Sequence, residues 1–267
     1  MSLTIADTPL TQPDLGQSFA SGHPFPVVIL DNFLPLQVAD GLLGEIRAFQ
    51  EFQKSHDYIF AKNKFESPRI ENLGPHGAAI KDCLLSPQVA DALSAMYGRK
   101  IFIDPDFLGG GLHRGGADSF LDMHTDFNLH PRNRRWIREL NLLLYLNKEW
   151  RPEYGGCLDL RNAHDGRTSA IEPKFNRLVI MLTKDFTLHG YRPINFPIGT
   201  FRVSIAAYAY SQAASDEDLT GLRTTTNWVP AGSGPLKSLV ARFTPQLVAL
   251  KQRLLGSATA KKKVRQE

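Results

Sequence analysis

Two imidazoles and a carboxylate, His124, Asp126 and His130, fall within seven positions of one another in the stretch DMHTDFNLH (122–130). On a β-strand residues i and i+2 project to one face, so His124 and Asp126 would aim at a single point while Thr125 faces away. That geometry supplies one edge of a transition-metal site, because two histidines and a carboxylate on one face of a divalent ion leave its other positions open. His-x-Asp alone is a weak signal, since the same pattern is common in surface turns where the aspartate caps a backbone amide.

A third ligand has to come from another strand, and the chain offers His130, His164 and His189. His130 precedes Pro131 in a run of arginines and reads as a loop residue at the mouth of a site. His164 lies in the turn-rich RNAHDGRT, where a solvated histidine is the ordinary reading. His189 follows the strongest apolar run, RLVIMLT, and stands in FTLHGYRP, where the chain returns through a core. Further on, Arg202 sits among Phe201, Val203 and Ile205, with Ser204 on its own strand face. A guanidinium in apolar surroundings needs an anion. A dicarboxylate ligand would fit its planar fork, with the Ser204 hydroxyl as a second donor; a structural salt bridge to an Asp or Glu of the chain would serve as well.

Strands must present these groups, and the sequence supplies them after residue 100. Short runs separated by turn residues follow one another: KIFIDPDFLGGGLH, SFLDMHTDF, RELNLLLYLN, GCLDLRN, RLVIMLT, FTLHGY and TFRVSIAAYAYS. Their alternating or wholly apolar character and even spacing predict an all-β sandwich or barrel. Helices precede them. Residues 1–22 are polar and read as a loose lead-in, and FPVVIL (25–30) predicts a strand. Leu36, Ala39, Leu42, Leu43, Ile46 and Phe49 recur at helical spacing over 35–53. A second helix is predicted over 86–97, with Ser86 as N-cap, Pro87 at its first position and Gly98 as its stop. After 211 a polar stretch leads into PLKSLVARFTPQLVALKQRLL, helical in period but broken at Pro245.

Composition narrows the class. A chain of 267 residues with 42% hydrophobic content can bury a full core. Its two cysteines, Cys83 and Cys157, provide neither a disulfide framework nor a CxxC pair. The first residues lack the pattern of a secretory signal and no stretch approaches a transmembrane span, so a soluble cytoplasmic protein without a membrane partner is expected. The basic tail KKKVRQE reads as solvated, and without a basic stripe interleaved with aromatics no nucleic-acid partner is inferred.

The ordered motifs HTD, YLNKEW, GGCLDL, FTLHGYRP and TFRVSIAAYAYS together resemble the prolyl 4-hydroxylase-like branch of the iron(II)/2-oxoglutarate dioxygenases over roughly residues 100–211. The resemblance implies a mainly β fold with flanking helices, built on a double-stranded β-helix, the cupin-like jelly roll. The organisation expected is a lead-in with supporting helices (1–99), the catalytic core (100–211) and a C-terminal loop, helices and tail packed on the same domain (212–267). Carried over, His124, Asp126 and His189 match the iron ligands, and Arg202 matches the residue that holds the distal carboxylate of 2-oxoglutarate. Ser204 and Tyr145 fall at cosubstrate-contacting positions. Asn141 and Leu143 share the parity of Tyr145 and should line the same pocket.

The implied chemistry is hydroxylation of an unactivated C–H bond with Fe(II), 2-oxoglutarate and O2, releasing succinate and CO2, with ascorbate as an accessory reductant. Asp126 disfavours halogenation, which needs a small residue there. A tyrosine that relatives carry about ten residues before the first histidine is missing, and His113 and Arg114 occupy that region as solvated-loop residues or as contacts to the cosubstrate or an anionic substrate. The interval from His189 to Arg202 is long, with YRPINFP inserted, so a bulge or widened turn is expected. The basic RNRRW (132–136) reads as a rim, and Trp228 as a core residue or a contact at the mouth. Substrates in reach are a small molecule, such as an amino acid, a sugar or a natural-product intermediate, or a prolyl residue; oligomeric state is not legible. The competing readings are a hydrolytic metal protein, which leaves Arg202 unexplained, and a non-catalytic jelly-roll binding module.

Overall fold

The computed structural model describes residues 3–50, 54–58 and 60–229. Its described helices are α1 (Leu15–Ala20), α2 (Leu36–Ala48), α3 (Pro75–Leu84) and α4 (Pro87–Tyr97). The last forms as its sequence dictates: the Ser86 hydroxyl accepts the Val89 amide at 3.3 Å, and Gly98 closes the helix in the left-handed region at φ 77°. Helix α2 is shorter than its periodicity predicts, because Phe49 turns into extended backbone. Helix α3 has no cap of its own. The Glu45 carboxylate reaches over from α2 and accepts the His76 and Gly77 amides at 2.8 and 2.9 Å.

The lead-in is not loose. Leu10, Leu15 and Phe19 are buried, and Phe19 meets Tyr97 of α4 edge to face at 6.4 Å. Their wide spacing in a polar segment hid this from composition.

The strands are β1 (Val27–Leu30), β2 (Lys54–Tyr58), β3 (Ala61–Ser67), β4 (Phe102–Ile103), β5 (Gly111–Thr125), β6 (Trp136–Tyr145), β7 (Leu158–Asn162), β8 (Thr168–Ile171), β9 (Arg177–Leu182), β10 (Thr187–Tyr191), β11 (Arg202–Gln212) and β12 (Asn227–Val229). They form one antiparallel sheet in the order β1-β9-β6-β11-β5-β10-β7-β8, with β3 and β12 also on β5. The sheet curls into the expected jelly roll, so that β6 and β11 face β7 and β10 across an interior. Strands β2 and β3, too polar to read as strands in sequence, extend the sheet beside β5. The C-terminal helical pattern and the basic tail lie outside the described residues.

Alternation sorts the two faces. Leu142 and Leu144 of β6, Ile180 of β9 and Val203 of β11 join Leu42 and Ile46 of α2 and Leu93 of α4 in one core. Each fully buried leucine there contributes about 2 kcal/mol, which holds the helices on the outer face. The residues between them, Asn141, Leu143, Tyr145, Arg202 and Ser204, face the interior. None of the described helices is long and apolar enough to cross a membrane.

Candidate active site

Sheet topology brings distant residues together. His189 of β10 pairs directly with His124 of β5, and their rings lie 4.2 Å apart. Gly190 permits the approach, since a Cβ there would meet the Leu121 carbonyl at 2.5 Å. Asp126, just past the end of β5, places Oδ2 3.4 Å from His189 Nε2 and Oδ1 3.7 Å from His124 Nε2. One ligand atom from each of the three lies within 4.8 Å of the others. The His124 Nδ1 sits 2.9 Å from the Asp122 carbonyl, which places the proton on Nδ1 in the neutral ring and leaves Nε2, 3.7 Å from Asp126 Oδ1, available as a metal ligand. Two imidazoles and one carboxylate so disposed fit a divalent iron ion.

Asp126 is held as an anion. Burial alone would raise its pKa, but the Arg138 guanidinium, then His189 and His124, and the Asn141 amide together bring it well below the ordinary carboxylate range. Arg138 Nη2 stands 2.9 Å from Asp126 Oδ2, and Asn141 Nδ2 donates to the same oxygen at 2.7 Å. Asn141 Oδ1 in turn accepts Arg138 Nε at 2.8 Å and the Thr183 hydroxyl at 3.1 Å. Arg138 is fully buried, stacked 3.4 Å over the Tyr208 ring.

A cavity of about 230 Å³ adjoins these groups, and at its far end lies Arg202. The guanidinium is 7% exposed and pairs with no carboxylate among the described residues, so the salt-bridge reading does not hold. Its Nε donates to the Gly156 carbonyl at 2.7 Å, its Nη2 to the Tyr145 hydroxyl at 3.3 Å, and its plane lies 4.2 Å from the Tyr191 ring centroid. Gly156, at φ 77°, is needed there because a Cβ would stand 3.0 Å from Arg202 Cδ. Burial raises the Tyr145 pKa against the opposing pull of Arg202, so the phenol stays protonated and able to donate. Ser204 pairs with Tyr145 across β11 and β6 and, with Asn141 and Leu143, lines the same cavity.

Other expectations shift. His130 is not at the mouth: it is buried, its Nδ1 accepts the Arg132 and Asn133 amides at 3.2 and 2.9 Å, and its Nε2 faces Asp104 at 3.4 Å. His164 is exposed, as expected. His113 and Arg114 belong to β5 rather than to a solvated loop. His113 is level with Ser204, whereas Arg114 is level with Val203 and lays its guanidinium 4.2 Å over Phe201. Trp228 is no core residue; it stacks on Phe60 at 5.0 Å and tilts over His124 at 4.7 Å, forming part of the cavity wall. The RNRRW arginines do not line the cavity, and Arg132 and Arg135 pair with Asp106 and Asp216. Cys83 is buried and its thiol pushed up to about 11, which leaves it no nucleophilic role.

This is a double-stranded β-helix with a His/Asp/His set at one end of its cavity and a buried arginine at the other. The protein matches the 2OG-Fe(II) oxygenase superfamily over residues 110–210. It is a 2-oxoglutarate-dependent iron oxygenase, with Fe(II) and 2-oxoglutarate as its cofactor and cosubstrate. Its fold is shared with a prolyl hydroxylase from Trichoplax adhaerens, at 16% identity over 77% of this chain and 89% of the other with a TM-score of 0.54. A prolyl 4-hydroxylase from Phytophthora capsici is similar at 19% identity, covering 89% and 72%, with a TM-score of 0.51. The non-heme alpha-ketoglutarate-dependent epimerase SnoN of nogalamycin biosynthesis matches at 11% identity over 83% and 84%, TM-score 0.52. Comparison with curated proteins returns no match. At these identities the likeness establishes the fold and not the reaction.

Proposed function

We propose that His124, Asp126 and His189 hold the iron, that Arg202 with Tyr145 and Ser204 holds the distal carboxylate of 2-oxoglutarate, and that the enzyme hydroxylates an unactivated C–H bond of a compact substrate. The substrate is an amino acid, a sugar, a natural-product intermediate or a single prolyl side chain. The observation that carries this reading is the buried Arg202 without a carboxylate partner among the described residues, at the far end of the cavity that holds the His/Asp/His set. A hydrolase leaves that cation unexplained, and a passive binding module leaves the His/Asp/His set unexplained.

Bound iron and 2-oxoglutarate supply the oxidising chemistry, with O2 consumed and succinate and CO2 released. The protein's own part is placement. Arg138 and Asn141 keep Asp126 ionised and oriented. Tyr145 and Tyr191 enclose the Arg202 guanidinium in a site of low polarity, where a charge-assisted pair to a carboxylate is strong. Trp228, Phe127 and Tyr208 also line the cavity, and their rings suit an apolar carbon skeleton.

The test is anaerobic titration of the Fe(II)-loaded protein with 2-oxoglutarate, following the visible charge-transfer band of the chelate. The band should form in the wild type and be lost in Asp126→Ala. Absence of the band despite bound iron would overturn the assignment. Succinate release across a panel of amino acids, sugars and prolyl peptides then identifies the substrate.

A further inference from the structure

The insertion between His189 and Arg202 does more than widen a turn. Ile194 and Phe196 fold inward with Tyr191 and pack against Trp150 and Tyr154, making an aromatic cluster separate from the main core. Phe196, Trp150 and Tyr154 then wall a second, solvent-open cavity of about 370 Å³, bordered also by α2 and by Phe201 and Val203 of the β11 approach. Val203 alternates with Arg202 and Ser204, so this cavity opens on the face of β11 opposite the active site, and Arg114 of β5 is the one residue that lines both. A cleft of this volume falls in the range of small-molecule sites.

Its charge is one-sided. Arg47 of α2, Arg114 of β5 and Lys148 of the loop after β6 all line it, against Glu149 as the one acid in its described lining. Lys148 bridges to Asp40 at 2.7 Å at the surface, and Arg114 spreads its guanidinium over Phe201. Arg47 is exposed and has no acidic partner among the described residues. Aromatic walls next to these cations would stack a flat apolar body and neutralise an acidic group at its edge.

We infer that this cavity is a second binding site, for a small organic anion with a planar apolar body, built by the insertion and separate from the catalytic cavity. The inference does not depend on the oxygenase reading.

The probe is naphthoate, titrated calorimetrically into the full-length protein and compared with the neutral naphthalenemethanol. Wild type should bind the acid saturably and the alcohol far more weakly. Arg47→Glu, a change on an exposed helix position that leaves the fold intact, should weaken naphthoate by about tenfold or more, since it removes one attraction and adds one repulsion. Arg202→Met should leave naphthoate binding unchanged. No saturable binding at millimolar acid, equal binding by Arg47→Glu, or equal binding of the alcohol would each overturn the inference. Loss of binding in Arg202→Met would assign the probe to the catalytic cavity and overturn it too.

Discussion

Replacing Arg202 by methionine separates a ligand-binding arginine from a structural one by the size of its effect on stability. A buried arginine paired with an internal carboxylate costs about 3–5 kcal/mol to remove, because the carboxylate is left buried and unpaired. Arg202 has no such partner among the described residues. What the Arg202→Met variant would forfeit is the charged hydrogen bonds to Gly156 at 2.7 Å and to the Tyr145 hydroxyl at 3.3 Å, worth about 2–3 kcal/mol together, and the face contacts with Tyr191 and Tyr145 at 4.2 and 5.0 Å, worth about 1–2 kcal/mol together. Against this stands relief of a buried cation's desolvation penalty, several kcal/mol in proteins. The terms nearly cancel, so the ligand-free variant should melt within about 3 °C of wild type.

Adding cosubstrate breaks the symmetry. With Mn(II) present and 2-oxoglutarate at about 100 times its dissociation constant, wild type should gain about 2.7 kcal/mol of stability. The methionine variant should gain almost none at the same concentration while still binding Mn(II). Differential scanning calorimetry with and without cosubstrate reads both effects. A variant that is strongly destabilised in the ligand-free state, yet still stabilised by 2-oxoglutarate, would show that Arg202 is a structural residue and that the carboxylate is held elsewhere.

Three further outcomes are expected. Asn141→Leu removes a 2.7 Å hydrogen bond to Asp126 without touching the ion, and by the usual cost of lost outer contacts should loosen iron by about 10–100-fold in a competitive chelator titration. Trp228→Ala strips the ring that lies 4.7 Å from His124 and should raise the KM for the hydroxylated substrate while iron content, measured by emission spectrometry, stays at the wild-type level. His130 has its pKa lowered, by burial first and against the pull of Asp104, so the unfolded chain takes up a proton more readily than the folded one. The stability it contributes is complete above the unfolded value of about 6.5 and drains away as pH falls below it; urea unfolding at a series of pH values should show this loss in wild type and not in His130→Asn.

How far the sequence reaches depends on whether local periodicity survives into the sheet. The approach of His124 to His189 was legible because a strand-borne His-x-Asp and a histidine on a later apolar strand remain on the inward face when those strands pair. The inward placing of Tyr145, Leu143 and Asn141 followed from simple alternation. Arg138 did not. Counting in twos from Tyr145 puts Glu139 inside and Arg138 outside, but the register of β6 against β11 slips where Leu140 faces Ala209 and Arg138 faces Tyr210. That bulge reverses the parity. Glu139 turns outward to meet Lys184, Tyr97 and Ser211, and Arg138 turns inward onto Asp126.

The same slip separates Arg138 from the basic RNRRW segment that precedes it. Arg132 and Arg135 form exposed pairs, but Arg138 ends nine-tenths and more buried beside the Asp126 carboxylate. A buried cation within 2.9 Å of Asp126 has two consequences that pull against each other. It keeps the carboxylate ionised when no metal is present, so the site is preformed, and it repels the dication that the carboxylate is there to bind. Asn141 moderates the conflict by accepting from Arg138 and donating to Asp126, which draws the guanidinium toward its own oxygen. On the proposed iron assignment, affinity for the ion should depend on a residue triplet, Asp126, Asn141 and Arg138, of which only the first two can be placed by counting along a strand.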